Sequence, residues 1–173
     1  MPPHKPVSIW RFPLFADLPE ADIVTILQYS KSLLFQPGDL VFKEGDTPDG
    51  LYLVLSGALR YFITVDDIKR KTVGEVNPGE YVGEFSLLDG QPRSTSLEAI
   101  LPSEVLMLPA KAFETILKMR PSVALGVHRK LCEVIRRRTG RRLPDPKGPV
   151  SFAQLCDLAR ILREYNDQLS SRR

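Results

Sequence analysis

Leu51-Tyr52-Leu53-Val54-Leu55-Ser56-Gly57-Ala58-Leu59-Arg60-Tyr61-Phe62-Ile63-Thr64-Val65 is the stretch that decides the fold. Two runs rich in Leu, Val, Ile, Tyr and Phe are broken by Ser56-Gly57, a turn pair, so the segment predicts two strands joined tightly. The same punctuation continues on both sides. Eight of the 11 glycines fall between Gly38 and Gly90. Turn signals stand at Gln36-Pro37-Gly38-Asp39, Glu44-Gly45-Asp46, Pro48-Asp49-Gly50, Asn77-Pro78-Gly79 and Asp89-Gly90. The intervening runs, residues 40–43, 51–55, 58–65, 71–76, 96–101 and 104–108, predict short strands. Many short strands at this spacing mean a small antiparallel sandwich or barrel. The expected fold is mainly β with flanking helices: an antiparallel β-roll or jelly roll of about eight strands.

Helices are expected on either side of the strands. Residues 20–29 carry Ile23, Ile26 and Leu27 at helical spacing after Asp17-Leu18-Pro19. Pro109 opens a second helix through Met119, with Phe113, Ile116 and Leu117 on one face, and Pro121 opens a longer third. Its apolar positions, Ala124, Val127, Leu131 and Val134, follow a 3-4-3 pattern that fits a core-facing stripe or a dimer seam. Gly140 and the following Arg141-Arg142-Leu143-Pro144-Asp145-Pro146 end that helix. Ser151-Phe152-Ala153-Gln154 reads as a capping box for a last helix to about residue 166. Its apolar face, Leu155, Leu158, Ala159 and Leu162, has to be covered by the barrel, a second subunit or a partner protein. Trp10 is expected to anchor the N-terminal arm.

Composition narrows the function classes. At 173 residues, 43% hydrophobic and 26% charged, the chain reads as an ordinary globular protein. A domain of this size buries roughly 70% of its unfolded surface and needs no disulfide or metal to hold a core. No apolar run approaches the roughly 18 residues of a membrane span, and nothing near the first residues resembles a signal peptide. Two cysteines, Cys132 and Cys156, and two distant histidines, His4 and His128, leave no metal site and no cofactor chemistry. Cys132 reads as a packed small residue rather than a redox sensor. A cytoplasmic, metal-free protein is expected. Charge is uneven: residues 1–127 carry −4 and residues 128–173 carry +7. That basic end could face a phosphate or an acidic partner, or it could be a solvated helix terminus whose arginines oppose the dipole.

The stretch that carries chemistry is Gly83-Glu84-Phe85-Ser86-Leu87-Leu88-Asp89-Gly90-Gln91-Pro92-Arg93-Ser94-Thr95-Ser96. Gly83 permits a close backbone approach. Residues 84–88 can form one helical turn, and Gly90 and Pro92 turn the chain back toward Arg93. A carboxylate and a guanidinium then share a compact loop, an acceptor for sugar hydroxyls beside a fork of donors for phosphate. The competing reading is an internal Glu84–Arg93 ion pair that only pins the loop.

This segment resembles the phosphate-binding cassette of the cyclic nucleotide-binding domain family, with its Gly-Glu pair, short helix and Arg-Ser pair. Phe15-Ala16-Asp17-Leu18-Pro19 is similar to the family's opening helix. Phe42-Lys43-Glu44-Gly45-Asp46 with residues 51–57 resembles its early strands, and the likeness runs from Phe12 to about Arg142. The resemblance implies that Glu84 accepts from the ribose 2′-hydroxyl and that Arg93 pairs with the cyclic phosphate. It places Gly83, Phe85, Ser86, Ser94 and Thr95 beside sugar and phosphate, and brings Arg138 and Thr139, near the end of the long helix, over the base. Serine follows the arginine, as in bacterial cyclic AMP receptors, and threonine stands there in several relatives that bind cyclic GMP, so the hydroxyl leaves the purine open; cyclic AMP is expected ahead of cyclic GMP. Val82 departs from the aromatic residue that usually precedes Gly-Glu.

Two units follow, residues 1–142 as the nucleotide-binding domain and 143–173 as a hinge and C-terminal helix. The expected function is a stand-alone, non-catalytic cyclic nucleotide sensor. Closure of the long helix is the expected signal, with a protein partner or a homodimer through that helix as output. Specific DNA binding is not expected, because the single helix after Gly140 is too little for a helix-turn-helix, and no membrane association is expected. The alternative is a degenerate domain that binds no nucleotide and serves as an interaction or dimerisation scaffold.

Overall fold

A computed structural model describes residues 8–15, 18–65 and 68–171, the side chains of 138, 166 and 169–171 excepted. Among the described residues, eight strands form two antiparallel four-stranded sheets. In chain order they are β1 (Lys31–Phe35), β2 (Leu40–Phe42), β3 (Gly50–Ser56), β4 (Leu59–Val65), β5 (Lys69–Val76), β6 (Tyr81–Val82), β7 (Ser96–Ala99) and β8 (Ser103–Pro109). One sheet has the order β1-β8-β3-β6 and the other β2-β7-β4-β5. Successive strands thus alternate between sheets, apart from the β4–β5 hairpin, and the architecture is the expected jelly roll. The helices are α1 (Glu20–Tyr29), α2 (Glu84–Asp89), α3 (Ala110–Met119), α4 (Pro121–Thr139) and α5 (Phe152–Ser171). None of the described helices is long and apolar enough to cross a membrane.

The run at 51–55 lacks polar alternation because β3 is buried on both faces. Tyr52 and Val54 point into the sandwich with Phe42, Leu59, Val76, Leu97 and Val105. Leu51 and Leu53 point the other way, to a second core shared with Phe12, Phe15, Phe113, Leu131 and Leu155. A strand covered on both sides reads as a continuous apolar run. Gly57, at φ +84, makes the turn into β4; a Cβ there would lie 2.2 Å from Ser103 Oγ, a clash only glycine avoids.

The second core settles which face of α4 is used. Ala124, Val127, Leu131 and Val134 are all buried against their own chain, so of the two readings of this stripe the core-facing one holds for these four residues. The apolar face of α5 is likewise covered by its own chain: Leu155, Leu158, Ala159 and Leu162 are buried where α5 packs on α4 and α2. Burying each leucine stabilises the docked helix by about 1.5–3 kcal/mol before chain entropy is counted. The capping box forms reciprocally, Gln154 N–H donating to Ser151 Oγ at 3.2 Å and Ser151 N–H to Gln154 Oε1 at 2.8 Å. At the N-terminus, Trp10 is exposed; Phe12, Leu14 and Phe15 are the residues that anchor the arm.

Candidate functional site

The cassette starts at Gly83, whose φ of +104 lets the chain turn from β6 into α2. A Cβ at this position would stand 2.8 Å from Arg93 Nη1 and 3.1 Å from the Gly50 carbonyl. The close approach expected from the sequence is therefore an approach to Arg93. Helix α2 is the expected helical turn and closes on Gly90, at φ +68, whose N–H donates to the Ser86 carbonyl. Residues 90–93 then run back beside the turn at Gly45: Gly45 N–H donates to Arg93 O at 2.9 Å and Arg93 N–H to Asp46 O at 2.8 Å.

Arg93 is buried, 3% exposed, and extends beneath the cassette. Its Nη1 donates to Gly83 O at 2.9 Å, and its Nη2 donates to Gly50 O at 2.7 Å and to Asp49 Oδ1 at 2.9 Å. The guanidinium lies 4.3 Å from the centre of the Phe42 ring, a cation–π contact. Asp49 also accepts from the Tyr52 hydroxyl, at 2.9 and 2.8 Å to its two oxygens. Burial, with the Asp49 carboxylate second, pushes that phenol well above the ordinary tyrosine range. Arg93 Nε is buried with no hydrogen-bond partner.

Glu84 is 1% exposed and pairs with Lys130 of α4, whose Nζ lies 2.6 Å from its Oε1. The expected alternative, a Glu84–Arg93 pair, does not form: each residue takes a different counter-charge. Lys130 also donates to Tyr81 O at 2.5 Å and sits 3.5 Å above the Tyr81 ring. Neither Glu84 oxygen has a well-aligned hydrogen bond, so attraction to Lys130 leaves their acceptor positions open. Burial, and then the Glu84 charge, hold the Tyr81 phenol far above its ordinary range.

Beside these groups lies a cavity of about 410 Å³, between the roll, the cassette and the two C-terminal helices. Volumes of this size accept small ligands. Glu84, Phe85, Ser94 and Thr95 line it, with Tyr61 and Val76 from the roll. Gly83 and Ser86 stand behind that wall, and Ser86 Oγ donates to Pro92 O at a long 3.5 Å. A wider groove alongside reaches Arg93 as well as Ser94 and Thr95. Helix α4 contributes Gly126, Lys130, Val134 and Arg137. Thr139 is not brought to the cavity: its hydroxyl donates to Ile135 O and accepts from Arg141 N–H at the helix end. Arg138 lies on α4, but its side chain is outside the described residues.

Sequence reasoning missed Asp49, Lys130, Arg137 and Arg163, the last on α5 at the cavity edge. For α4 a signal existed. Gly126, Lys130, Val134 and Arg137 follow 4-4-3 spacing, which puts two cations on an otherwise inward-facing row.

Known proteins give the same picture. The Cyclic nucleotide-binding domain family matches residues 33–120. The Cyclic AMP receptor protein of Thermus thermophilus is 36% identical over 112 residues, covering 65% of this chain and 52% of that protein. Patatin-like phospholipase domain-containing protein 7 of Rattus norvegicus is 37% identical over 100 residues, 58% of this chain and 7% of that protein. The chain thus spans about half or far less of these relatives. Among solved structures, the Catabolite Activator Protein of Thermus thermophilus superposes with a TM-score of 0.65 at 34% identity, over 72% of this chain and 59% of that one. The sensor domain of the transcriptional regulator DNR from Pseudomonas aeruginosa shares the fold at a TM-score of 0.69 and 20% identity, over 79% of this chain and 91% of that one. With its jelly roll, its cassette from Gly83 to Ser94 and a family match over half its length, this chain belongs to the cyclic nucleotide-binding domain family.

Proposed function

We propose that the chain is a reversible, non-catalytic sensor that prefers cyclic AMP to cyclic GMP and signals by closing α4 over the ligand. The observation that carries this reading is a pair of buried, unfilled groups of opposite sense on one cassette. Glu84 offers acceptor positions and Arg93 Nε offers a donor. Buried polar groups without partners are uncommon in native folds and call for an explanation. A ribose hydroxyl and a phosphate oxygen would satisfy both. A relative named for cyclic AMP supports the choice of purine. Output runs to a protein partner in the cytoplasm, without specific DNA recognition.

One observation favours the scaffold reading. Of the five N–H donors of a guanidinium, three on Arg93 are already bonded to protein oxygens. Calorimetric and thermal titration with cyclic AMP, cyclic GMP and cyclic di-GMP separates the two. A ligand at a hundred times its Kd stabilises the native state by about 2.7 kcal/mol, with cyclic AMP acting at the lowest concentration. Absence of any shift at millimolar nucleotide establishes the scaffold instead. Closure of α4 is read by hydrogen exchange over residues 121–166; protection confined to 83–95 removes that route of signalling.

A further inference from the structure

Helix α5 forms one wall of the cavity through Ala159, Leu162 and Arg163. Arg163 reaches the cassette by three bonds: Nε to Asp89 Oδ2 at 2.8 Å, Nη2 to Asp89 Oδ1 at 3.3 Å, and Nη2 to the Pro92 carbonyl at 2.9 Å. The Asp89 side chain is 1% exposed and that of Arg163 19%. Asp89 is the last residue of α2, where the helix dipole disfavours a carboxylate. A buried anion in that position requires a cation, and Arg163 supplies it from 74 residues away. Pro92 immediately precedes Arg93. One guanidinium therefore grips both ends of the segment 89–92 that leads from α2 into Arg93.

We infer that Arg163 is a positioning residue for the nucleotide site: it latches α5 onto the cassette, so that helix docking and ligand retention are one coupled equilibrium. The inference rests on the reading of the cavity as a cyclic nucleotide site. Apolar burial of Leu155, Leu158 and Leu162 holds α5 down, and the Arg163 bonds make its docking depend on the conformation of residues 89–92. A ligand in the cavity touches α5 and orders that segment, so it favours the docked helix. By linkage, the docked helix favours the ligand.

Displacement of a fluorescent cyclic AMP analogue by excess cyclic AMP, followed by stopped flow on the full chain, tests the latch. Arg163→Met and Asp89→Asn are each expected to speed dissociation about tenfold. The double variant is expected to be no faster than Arg163→Met alone, because the Arg163–Asp89 pair is already lost in that variant. Arg163→Lys recovers part of the loss, since an ammonium pairs with Asp89 but cannot grip Pro92 O in the same geometry. Wild-type dissociation rates in both single variants, or losses that multiply in the double variant, overturn the latch. A wild type that binds no cyclic nucleotide removes the site reading instead, and hydrogen exchange without nucleotide then decides the latch. In Arg163→Met the amides of 86–92 and 155–163 exchange faster together; faster exchange of α5 alone overturns it.

Discussion

Asp49 Oδ1 accepts from Arg93 Nη2 at 2.9 Å, joining two turns 44 residues apart. The pair is lopsided: the Arg93 side chain is 2% exposed and that of Asp49 57%. Asp49→Ala leaves the other Arg93 bonds in place but takes a carboxylate partner from the buried guanidinium and the acceptor from the Tyr52 hydroxyl, so it is expected to cost about 1–3 kcal/mol of stability. It frees the guanidinium to tilt, and cyclic AMP affinity is expected to fall about tenfold. Arg93→Lys keeps the charge and loses the fork, and is expected to lower affinity about a hundredfold in a protein that still folds. Titration calorimetry with a melting curve for each variant checks both. Asp49→Ala binding as wild type does would show that Asp49 has no part in aiming Arg93.

Two glycines separate site from scaffold. Gly83→Ala forces a side chain to φ +104 and sets its Cβ against the Arg93 guanidinium. It is expected to destabilise by about 1–3 kcal/mol and to weaken nucleotide binding. Gly57→Ala meets Ser103 Oγ and the Pro102 carbonyl, at 2.2 and 2.4 Å, on the far side of the sandwich. Its stability loss is expected to be the larger, with the folded fraction binding nucleotide as wild type does. Equal binding defects in both variants would contradict this division.

His128 on α4 is buried, and loss of hydration lowers its pKa below the ordinary imidazole range. In acid the unfolded chain therefore takes up this proton before the folded chain does, and stability rises with pH through the window just below 6.5. Melting temperature is expected to fall between pH 7.5 and 5.5, and less steeply in His128→Gln. Identical slopes would mean that His128 does not couple folding to pH.

The exposed arginines at 136, 137, 141 and 142 attract polyanions. Binding to random duplex DNA is expected to be weak and to disappear as salt rises toward physiological strength. A sequence-selective nanomolar complex measured by anisotropy at that salt would overturn the expectation.

Where local rules govern, the structure was legible beforehand. The bounds of α1 and α4, the helical turn after Gly83 and the Ser151–Gln154 box all follow from spacing and end signals. Strand β1 was not legible, because Lys31-Ser32-Leu33-Leu34-Phe35 neither alternates nor follows a clear turn. It exists because Val105 and its neighbours in β8 supply an edge to pair with. Strand β6 has two residues and depends on Tyr52 and Leu53 opposite. In the site, Glu84 and Arg93 were identifiable by residue type and order. Their partners were not: Asp49 read as a turn residue, and Lys130 and Arg163 as charges of the basic stretch 128–173. Each is defined by a contact across dozens of residues, which no local pattern encodes.

Besides its carboxylate partner, each of the three cations at the cassette rests on main chain: Arg93 on the Gly50 and Gly83 carbonyls, Lys130 on Tyr81 O, Arg163 on Pro92 O. Carbonyl oxygens survive every substitution that preserves the backbone. The charged frame is thereby insulated from drift in the cavity wall, where Tyr61, Val76, Val134 and Leu162 contribute only shape. Those four positions are the ones at which descendants of this chain, or a protein engineer, can recast the shape of the cavity while Arg93, Lys130 and Arg163 stay where they are.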